Sequence, residues 1–397
     1  MATKPQPSTP TVDTEAESLA QELRAAPFVR IHPVSDPEAL AAASVLAWGL
    51  RQCKTPFQIR PLTPTTEPVR IHDNSYDIGV GRSSLQVSTS LAAQSKSMVQ
   101  TAIETTTILA PGLIAQSARL SSVVVSGLFG AQAVPMLSSK DALPPSVADM
   151  EKTPGVASPV ADPIDGLTHS MLLHGPWSGD IEATADTYEA YTEMSLPLCE
   201  SAGRDLSSQV TLDMLRSASH GRIKTALQGA IHPRPFAAGS FETLGGAFDV
   251  FRAVVREAPG TAVGFSLGAD VVTACLEHWR THANCVHNEL QSLREQRFQS
   301  VSLFELDSAL TPLQCSTVAD VALAYMSAEP VTVVRGDRAI AIASSAPVAP
   351  QIAQAMDDEP LANDGWIATP HRAVFASCEM PTETIVETVR REVQADD

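Results

Sequence analysis

The chain has 397 residues, 44% of them hydrophobic, which is enough for two or three domains with their own cores. Its 45 acids against 27 bases leave a formal charge of −18, and the bases are 21 Arg against 6 Lys. This excludes unaided, nonspecific coating of nucleic acid, leaves room for a local basic groove, and fits a very salty cytoplasm, where a Debye length of about 3 Å screens acid from acid.

Six scattered cysteines without a C-x-x-C pair read as reduced cytosolic thiols. The N-terminus lacks the apolar segment of a signal peptide. The most apolar run, SSVVVSGLFGAQAVPML, is broken by Ser, Gly, Gln and Pro135, short of the ~18 residues a membrane span needs. A cytoplasmic protein with no membrane partner is the expectation.

In chain order, residues 1–24 are rich in Pro, Thr, Ser and Glu and are expected to be a disordered tail. PFVRIHPV reads as a strand. SDPEALAAASVLAWGLRQC follows as a helix, with Ser35 and Glu38 spaced as a capping box and Pro37 in the first turn. TPFQIRP reads as a second strand, so these three segments form a βαβ unit and predict a parallel sheet. SYDIGVG is another strand ending at a glycine turn. Residues 85–135 read as helices with short strands, and the Pro/Ser/Asp-rich stretch after them as a linker or long loop. From 180 to 256 the pattern is helical. TAVGFSL is then expected as a strand, the stretch from Ala269 to Gln296 as a long helix, and SVSLFELD and VTVVRGDRAIAIAS as strands. The architecture expected is two α/β lobes around a helical middle.

Several groupings carry chemistry. Gly264-Phe265-Ser266-Leu267-Gly268 fits G-x-S-x-G, the turn that presents a nucleophilic serine. Asp307 and His371 follow it in the order a hydrolase triad needs, and MLLHGPWSGD has the His-Gly of an oxyanion loop. Against this, the residues between that loop and Ser266 read as consecutive helices, and turn glycines alone account for the pattern. RIHPVSDPEAL places His32, Asp36 and Glu38 where a parallel strand opens into a helix, the position at which such sheets bind ligands. A His and two carboxylates there suit a hard divalent ion, or equally a strand end and a helix cap. His278, His282 and Cys285 share one helix face but have no fourth zinc ligand in view. In LRSASHGRIKTALQGAIHPRP, the side chains of Arg216, Arg222, Lys224 and Arg234 form a basic stretch free of acids from 214 to 241, fit to track phosphates or to stand solvated.

RIHPVSDPEAL resembles the first motif of the DHH phosphoesterases, the family of RecJ exonucleases and oligoribonucleases. Its form H-x-x-P-D-G-D-A-L is matched by His32, Asp36, Glu38, Ala39 and Leu40, with Glu for the second Asp; in the alternative form H-x-D-x-D-G, Val34 replaces a ligand. SYDIGVG stands where the second motif puts its Asp, making Asp77 the candidate. Stretches 154–180, 241–270 and 326–344 look like RecJ-type proteins of salt-loving archaea. The pair Gly245-Gly246 resembles a worn glycine-rich motif of the DHH-associated domain, which adds it to the nucleic-acid-binding candidates.

The resemblance implies a two-lobed α/β fold. It divides the chain into a parallel-sheet DHH-like domain at 25–150, a helical connection at 151–239 and a smaller α/β DHH-associated-like domain at 240–397. It implies Mn²⁺ or Mg²⁺ if the protein is active, otherwise no cofactor, with single-stranded DNA or RNA and replisome or repair proteins as partners.

The name-giving Asp-His-His is absent, for no His occurs between His72 and His169. The metal set His32, Asp36, Glu38, Asp77 and Asp180 is therefore vestigial or partial, with Asp165, His169 and His174 as further donors. Two readings remain open beside the hydrolase. One is a non-catalytic relative, as in the RecJ-related accessory factor of the replicative helicase. The other is an active metal-dependent single-strand exonuclease or oligonucleotide phosphodiesterase.

Overall fold

The computed structural model describes residues 14–66, 75–83, 89–91, 98–110, 151–217, 222–235, 240–358, 365–376 and 379–396. The segment 111–150, where further helices and the loop were expected, lies outside these, as do residues 1–13.

The first lobe is built on the expected βαβ unit. Strand β1 (Val29–Pro33) pairs in parallel with β2 (Phe57–Ile59) on one side and β3 (Tyr76–Val80) on the other, and β5 (Thr89–Leu91) extends the sheet beyond β3. Helix α2 (Pro37–Gln52) crosses between β1 and β2. Its small alanines let almost its whole surface be buried, from Pro37 through Leu50 with Trp48 half-buried. Helix α3 (Met98–Leu109) packs on it so closely that a Cβ on Gly49 would lie 3.2 Å from Leu109 and Thr106.

The cap differs from expectation. Asp36, not Ser35, is the N-cap: its Oδ1 accepts from the Glu38 amide at 2.9 Å, while the Glu38 carboxylate accepts from the Met98 amide at 2.8 Å. Pro37 in the first turn puts the cap one residue before it, and a carboxylate there also meets the positive end of the helix. Residues 14–24 correct a second expectation. They lie in helix α1 (Thr14–Ala25), which buries Ala16, Leu19, Ala20 and Leu23.

The middle is helical, as read: α4 (Pro163–His169), α5 (Ile181–Thr187), α6 (Glu200–Ser217), α7 (Ile223–Ala230) and α8 (Leu244–Glu257). TAVGFSL is not a strand. It lies in helix α9 (Pro259–Ser266), with Pro259 in the first turn, and the chain then turns at Gly268 with φ +100°. Helix α10 (Val272–Ser292) is the long helix expected.

A second sheet has the order β4-β10-β11-β9-β8-β7-β6. Its strands are β6 (Glu295–Phe298), β7 (Val301–Glu305), β8 (Val331–Gly336), β9 (Ala339–Ser344), β10 (Gly365–Thr369) and β11 (Arg372–Ala376), joined mostly as antiparallel pairs. Only β7 and β8 are parallel, and helix α11 (Pro312–Tyr325) connects them. The seventh strand, β4 (Arg82–Ser83), comes from the first lobe and pairs with β10, so the two sheets share a seam.

One apolar cluster runs from α1 and α2 through α8 and α10 to α11, Ile367 and Val374. A second fills the other face of the large sheet under α12 (Ala349–Asp357) and α13 (Thr382–Asp396).

The first turn of α8 lies on the segment 157–159. Thr243 caps it, accepting from the Gly246 amide at 3.0 Å, and a Cβ on Gly246 would lie 2.2 Å from the Ser158 and Pro159 backbone. Gly246→Ala is therefore expected to cost more than about 2 kcal/mol in denaturant unfolding. Gly260→Ala, where a Cβ meets nothing within 4 Å, should be neutral or stabilising by up to about 1 kcal/mol.

Candidate functional site

The turn after β1 is buried. His32, Asp36, Glu38 and Asp77 are all at most 5% exposed. The parallel register of β1 and β3 sets Arg30 opposite Asp77 and His32 opposite Gly79, which brings His32 Nε2 to 2.8 Å from Asp77 Oδ1. Ser75 donates to Asp77 Oδ2 at 2.7 Å. Burial lowers the His32 pKa, outweighing the pull of Asp77, so the ring is neutral. Its one proton is on Nε2, donated to the carboxylate, and Nδ1 is a bare lone pair. That nitrogen is buried with no hydrogen-bond partner among the described residues.

Asp36 faces the second lobe. Its Oδ2 lies 3.5 Å from Nη1 of Arg372, at the start of β11. The same guanidinium is held from behind by Asp320 on α11, with Arg372 Nε at 2.8 and 2.9 Å from the two carboxylate oxygens. Arg256 and Arg252 of α8 also donate to Asp320, at 2.8 and 3.2 Å. Burial would raise the Asp320 pKa, but the three guanidiniums hold it far below the usual carboxylate range. Arg256 is pushed down to about 10 by burial, against the pull of Asp320. Burial would lower Arg372 too, yet Asp320, Asp36 and Glu38 raise it. Beside the Asp36–Arg372 contact is a cavity of about 10 Å³, room for one water, lined by Ser35, Asp36, Ser316, Thr369 and Arg372 among others. The hydroxyls of Ser35 and Thr369 have no partner there among the described residues.

Of the expected metal residues, His32 and Asp77 are brought into contact, and the others are turned to different partners. Asp36 is paired with Arg372, Glu38 with the Met98 amide, and both oxygens of Asp77 are engaged. Asp180 is exposed and caps α5, accepting from the Glu182 and Ala183 amides at 3.0 Å. The further donors are committed as well. Asp165 pairs with Arg280 and His169, which outweigh burial and lower its pKa to about 2, and His174 faces His287. Among the described residues no group of three or more His, Cys, Asp or Glu is arranged to hold a metal ion. The residues present do not fit a two-metal centre, which needs several free oxygen donors around each cation.

The other groupings separate too. Ser266 is buried at the end of a helix, where its hydroxyl meets Ser44 at 2.7 Å and the Val263 carbonyl at 2.9 Å, and Trp48 donates to its carbonyl. His371 faces the Ser344 carbonyl and Asp307 is exposed, so no triad forms. His282 is taken by Glu257 and Thr317, which leaves no zinc site with His278 and Cys285. The basic stretch divides. Arg216 and Lys224 are exposed, Arg216 beside Asp213 at 3.4 Å. Arg222 donates to the Ser327 carbonyl and Arg234 is buried. Gly245 and Gly246 are buried under the 157–159 segment.

Arg372, Asp320, Arg252 and Arg256 were missed in the sequence. The available signal was a charge surrounded by apolar residues: Arg252 and Arg256 at i, i+4 in FDVFRAVVREA, and Asp320 alone in STVADVALAY. Such charges are buried only with partners.

The model of the family described as the C-terminal domain of uncharacterized protein rrnAC1427 matches residues 294–391. The full-length rrnAC1427 protein of Haloarcula marismortui is 34% identical over 340 residues, 84% of this chain and 86% of that one. Among solved structures, CDC45 from Entamoeba histolytica superposes with a TM-score of 0.50 at 12% identity, covering 96% of this chain and 98% of its own. RecJ from Thermus thermophilus in complex with Mn²⁺ gives 0.46 at 11% identity, covering 98% of this chain and 56% of RecJ. The fold is like that of CDC45 from Entamoeba histolytica, and the chain belongs to the family of the Haloarcula marismortui protein rrnAC1427.

Proposed function

We propose that this chain is a cytoplasmic RecJ-like protein of DNA replication or repair that binds single-stranded nucleic acid and whose phosphoesterase site has decayed. The observation that carries the reading is the Asp36–Arg372 contact. The carboxylate that resembles a metal ligand meets a guanidinium fixed from behind by Asp320. A guanidinium neutralises charge but has no open coordination position and activates no water. The acid-rich composition supports a salty cytoplasm, and no helix among the described residues is long and apolar enough to cross a membrane. The divisions at 25–150, 151–239 and 240–397 remain part of the proposal, as does assembly with replisome or repair proteins.

The rival reading, an active Mn²⁺- or Mg²⁺-dependent single-strand exonuclease, draws on one observation, the bare buried Nδ1 of His32. End-labelled single strands incubated with the protein, Mn²⁺ and high KCl separate the two. The expected outcome is no shortening; shortening that His32→Ala abolishes would establish the nuclease.

Binding is tested by fluorescence anisotropy of labelled single-stranded DNA and RNA across a salt series. Arg216→Ala and Lys224→Ala, on the exposed part of the basic stretch, should each weaken binding across sequences. Each should also reduce the log–log salt slope by about 0.7, the value for one phosphate contact on a single strand. Unchanged affinity in both variants removes this surface from the proposal.

A further inference from the structure

Half-buried His174, in the loop between α4 and α5, and enclosed His287, on α10, form a pair that the reading above does not use. Their Nδ1 atoms are 3.3 Å apart and their ring planes differ by 4°. Two nitrogens in such contact share one hydrogen, so one ring donates and the other accepts. His287 Nε2 lies 3.1 Å from the Ser170 carbonyl oxygen, which only accepts. The proton of neutral His287 is therefore on Nε2 and its Nδ1 is a lone pair. His174 must donate from Nδ1, which leaves His174 Nε2 as the open base of the pair. Burial keeps both rings neutral: His287, fully enclosed, is well below its ordinary value, and half-buried His174 is pushed down to about 4.

This pair helps to seat the loop from Ser170 to Gly179 on α10. Gln291 Nε2 donates to the Ser178 carbonyl at 3.0 Å, and a Cβ on Gly179, whose φ is +79°, would lie 2.7 Å from the His287 Cβ. Tyr325 of α11 donates to the Leu172 carbonyl and stands edge-on to His174 at 6.4 Å. The loop's Met171 amide donates to Asp249 of α8 at 3.1 Å. The other titratable groups facing His287 are bases, His169 and His282. The nearby acids are committed elsewhere: Asp165 to Arg280 and His169, Glu257 to His282 and Gln314. No carboxylate among the described residues pairs with either ring.

We propose that His174 and His287 form an acid-sensitive catch for this loop. A first proton from solvent enters at His174 Nε2 and leaves the N–H···N bond intact. A second must take the lone pair of His287 Nδ1, which breaks that bond and sets two cations side by side in an enclosed space, so the loop leaves α10. The sign follows from the directions of the shifts. A histidine lowered in the folded state contributes stability that is whole above about 6.5 and is lost as pH falls toward the folded value. Asp249, raised to about 6 by burial, acts oppositely, its contribution being present below the ordinary carboxylate range and lost as pH rises through 6. Asp249→Asn removes that offset and makes the histidine effect the larger one.

The test uses the whole chain labelled with ¹⁵N-histidine. Long-range ¹H–¹⁵N spectra near neutral pH should show His174 protonated on Nδ1 and His287 on Nε2. On acidification His174 should titrate first, and His287 only together with faster amide exchange in residues 170–179. His174 protonated on Nε2 at neutral pH, or titration of His287 with the loop's exchange unchanged, overturns the proposal. In His174→Gln, which carries no titrating ring at 174, the pH midpoint of loop release should fall by about half a unit or more; an unmoved midpoint overturns it as well. Neither readout involves nucleic acid, so the outcome is independent of strand binding.

Discussion

Asp320 holds the structure's charge balance together. It is 1% exposed and takes three guanidiniums, two from α8 and one from β11. Removing one partner from such a buried pair costs about 3–5 kcal/mol, because the charge left behind has neither water nor a counter-ion. Through Arg372 the cluster reaches Asp36, and so the cap of the first lobe's main helix. The same seam is closed by β4 on β10 and by Trp48 and Ser44 on the end of α9. The position of the turn after β1 therefore depends on an ion cluster whose centre is in the other lobe.

That dependence has chemical consequences. Hydrolysis of a phosphodiester by paired cations needs several hard donors aimed at open space. Here each donor around the turn is aimed at a neighbour: Asp36 at Arg372, Glu38 at a backbone amide, Asp77 at His32 and Ser75. The site is satisfied from within the protein. The exceptions are His32 Nδ1 and the Ser35 and Thr369 hydroxyls, three buried polar atoms without partners among the described residues. Atoms of this kind cost about 1–3 kcal/mol each.

What was legible in the sequence was local. The βαβ unit could be read because its strands, its proline-marked helix start and its alanine-rich body are each specified within a few residues. TAVGFSL misled because a short run with β-branched residues suits a strand as well as a helix, and its fate was settled by Trp48 and Ser44, more than 200 residues away. The Asp36 cap was missed by one position because a Ser–Glu spacing was preferred to a carboxylate standing directly before Pro37. The Asp320 cluster was illegible as a cluster, since the Arg252–Arg256 pair, Asp320 and Arg372 are separated by dozens of residues, although the two arginines and Asp320 were each visible as a charge in an apolar helix. The basic stretch with its four cations was legible as composition only; which of them reach solvent depends on how α6 and α7 dock.

The ratio of arginine to lysine then gains an internal explanation. Among the described residues, the buried bases other than histidine are Arg234, Arg252, Arg256 and Arg372, and every lysine is exposed. A planar guanidinium spreads its charge over several donors and can satisfy two carboxylates at once, as Arg372 does, whereas an ammonium gives up more hydration for fewer directed bonds. Part of the arginine excess is thus a property of the core, independent of the salt outside. The buried acids Asp36, Glu38, Asp77, Asp249 and Asp320 nearly match those four arginines in charge, and Asp249 is neutral below about pH 6. Among the described residues the interior is therefore close to neutral, and their excess of acid lies mostly outside it. A polyanion approaching so acidic a chain meets repulsion, which favours places where exposed cations have few acids near them in the sequence, such as the segment from Arg216, beside Asp213, to Lys224.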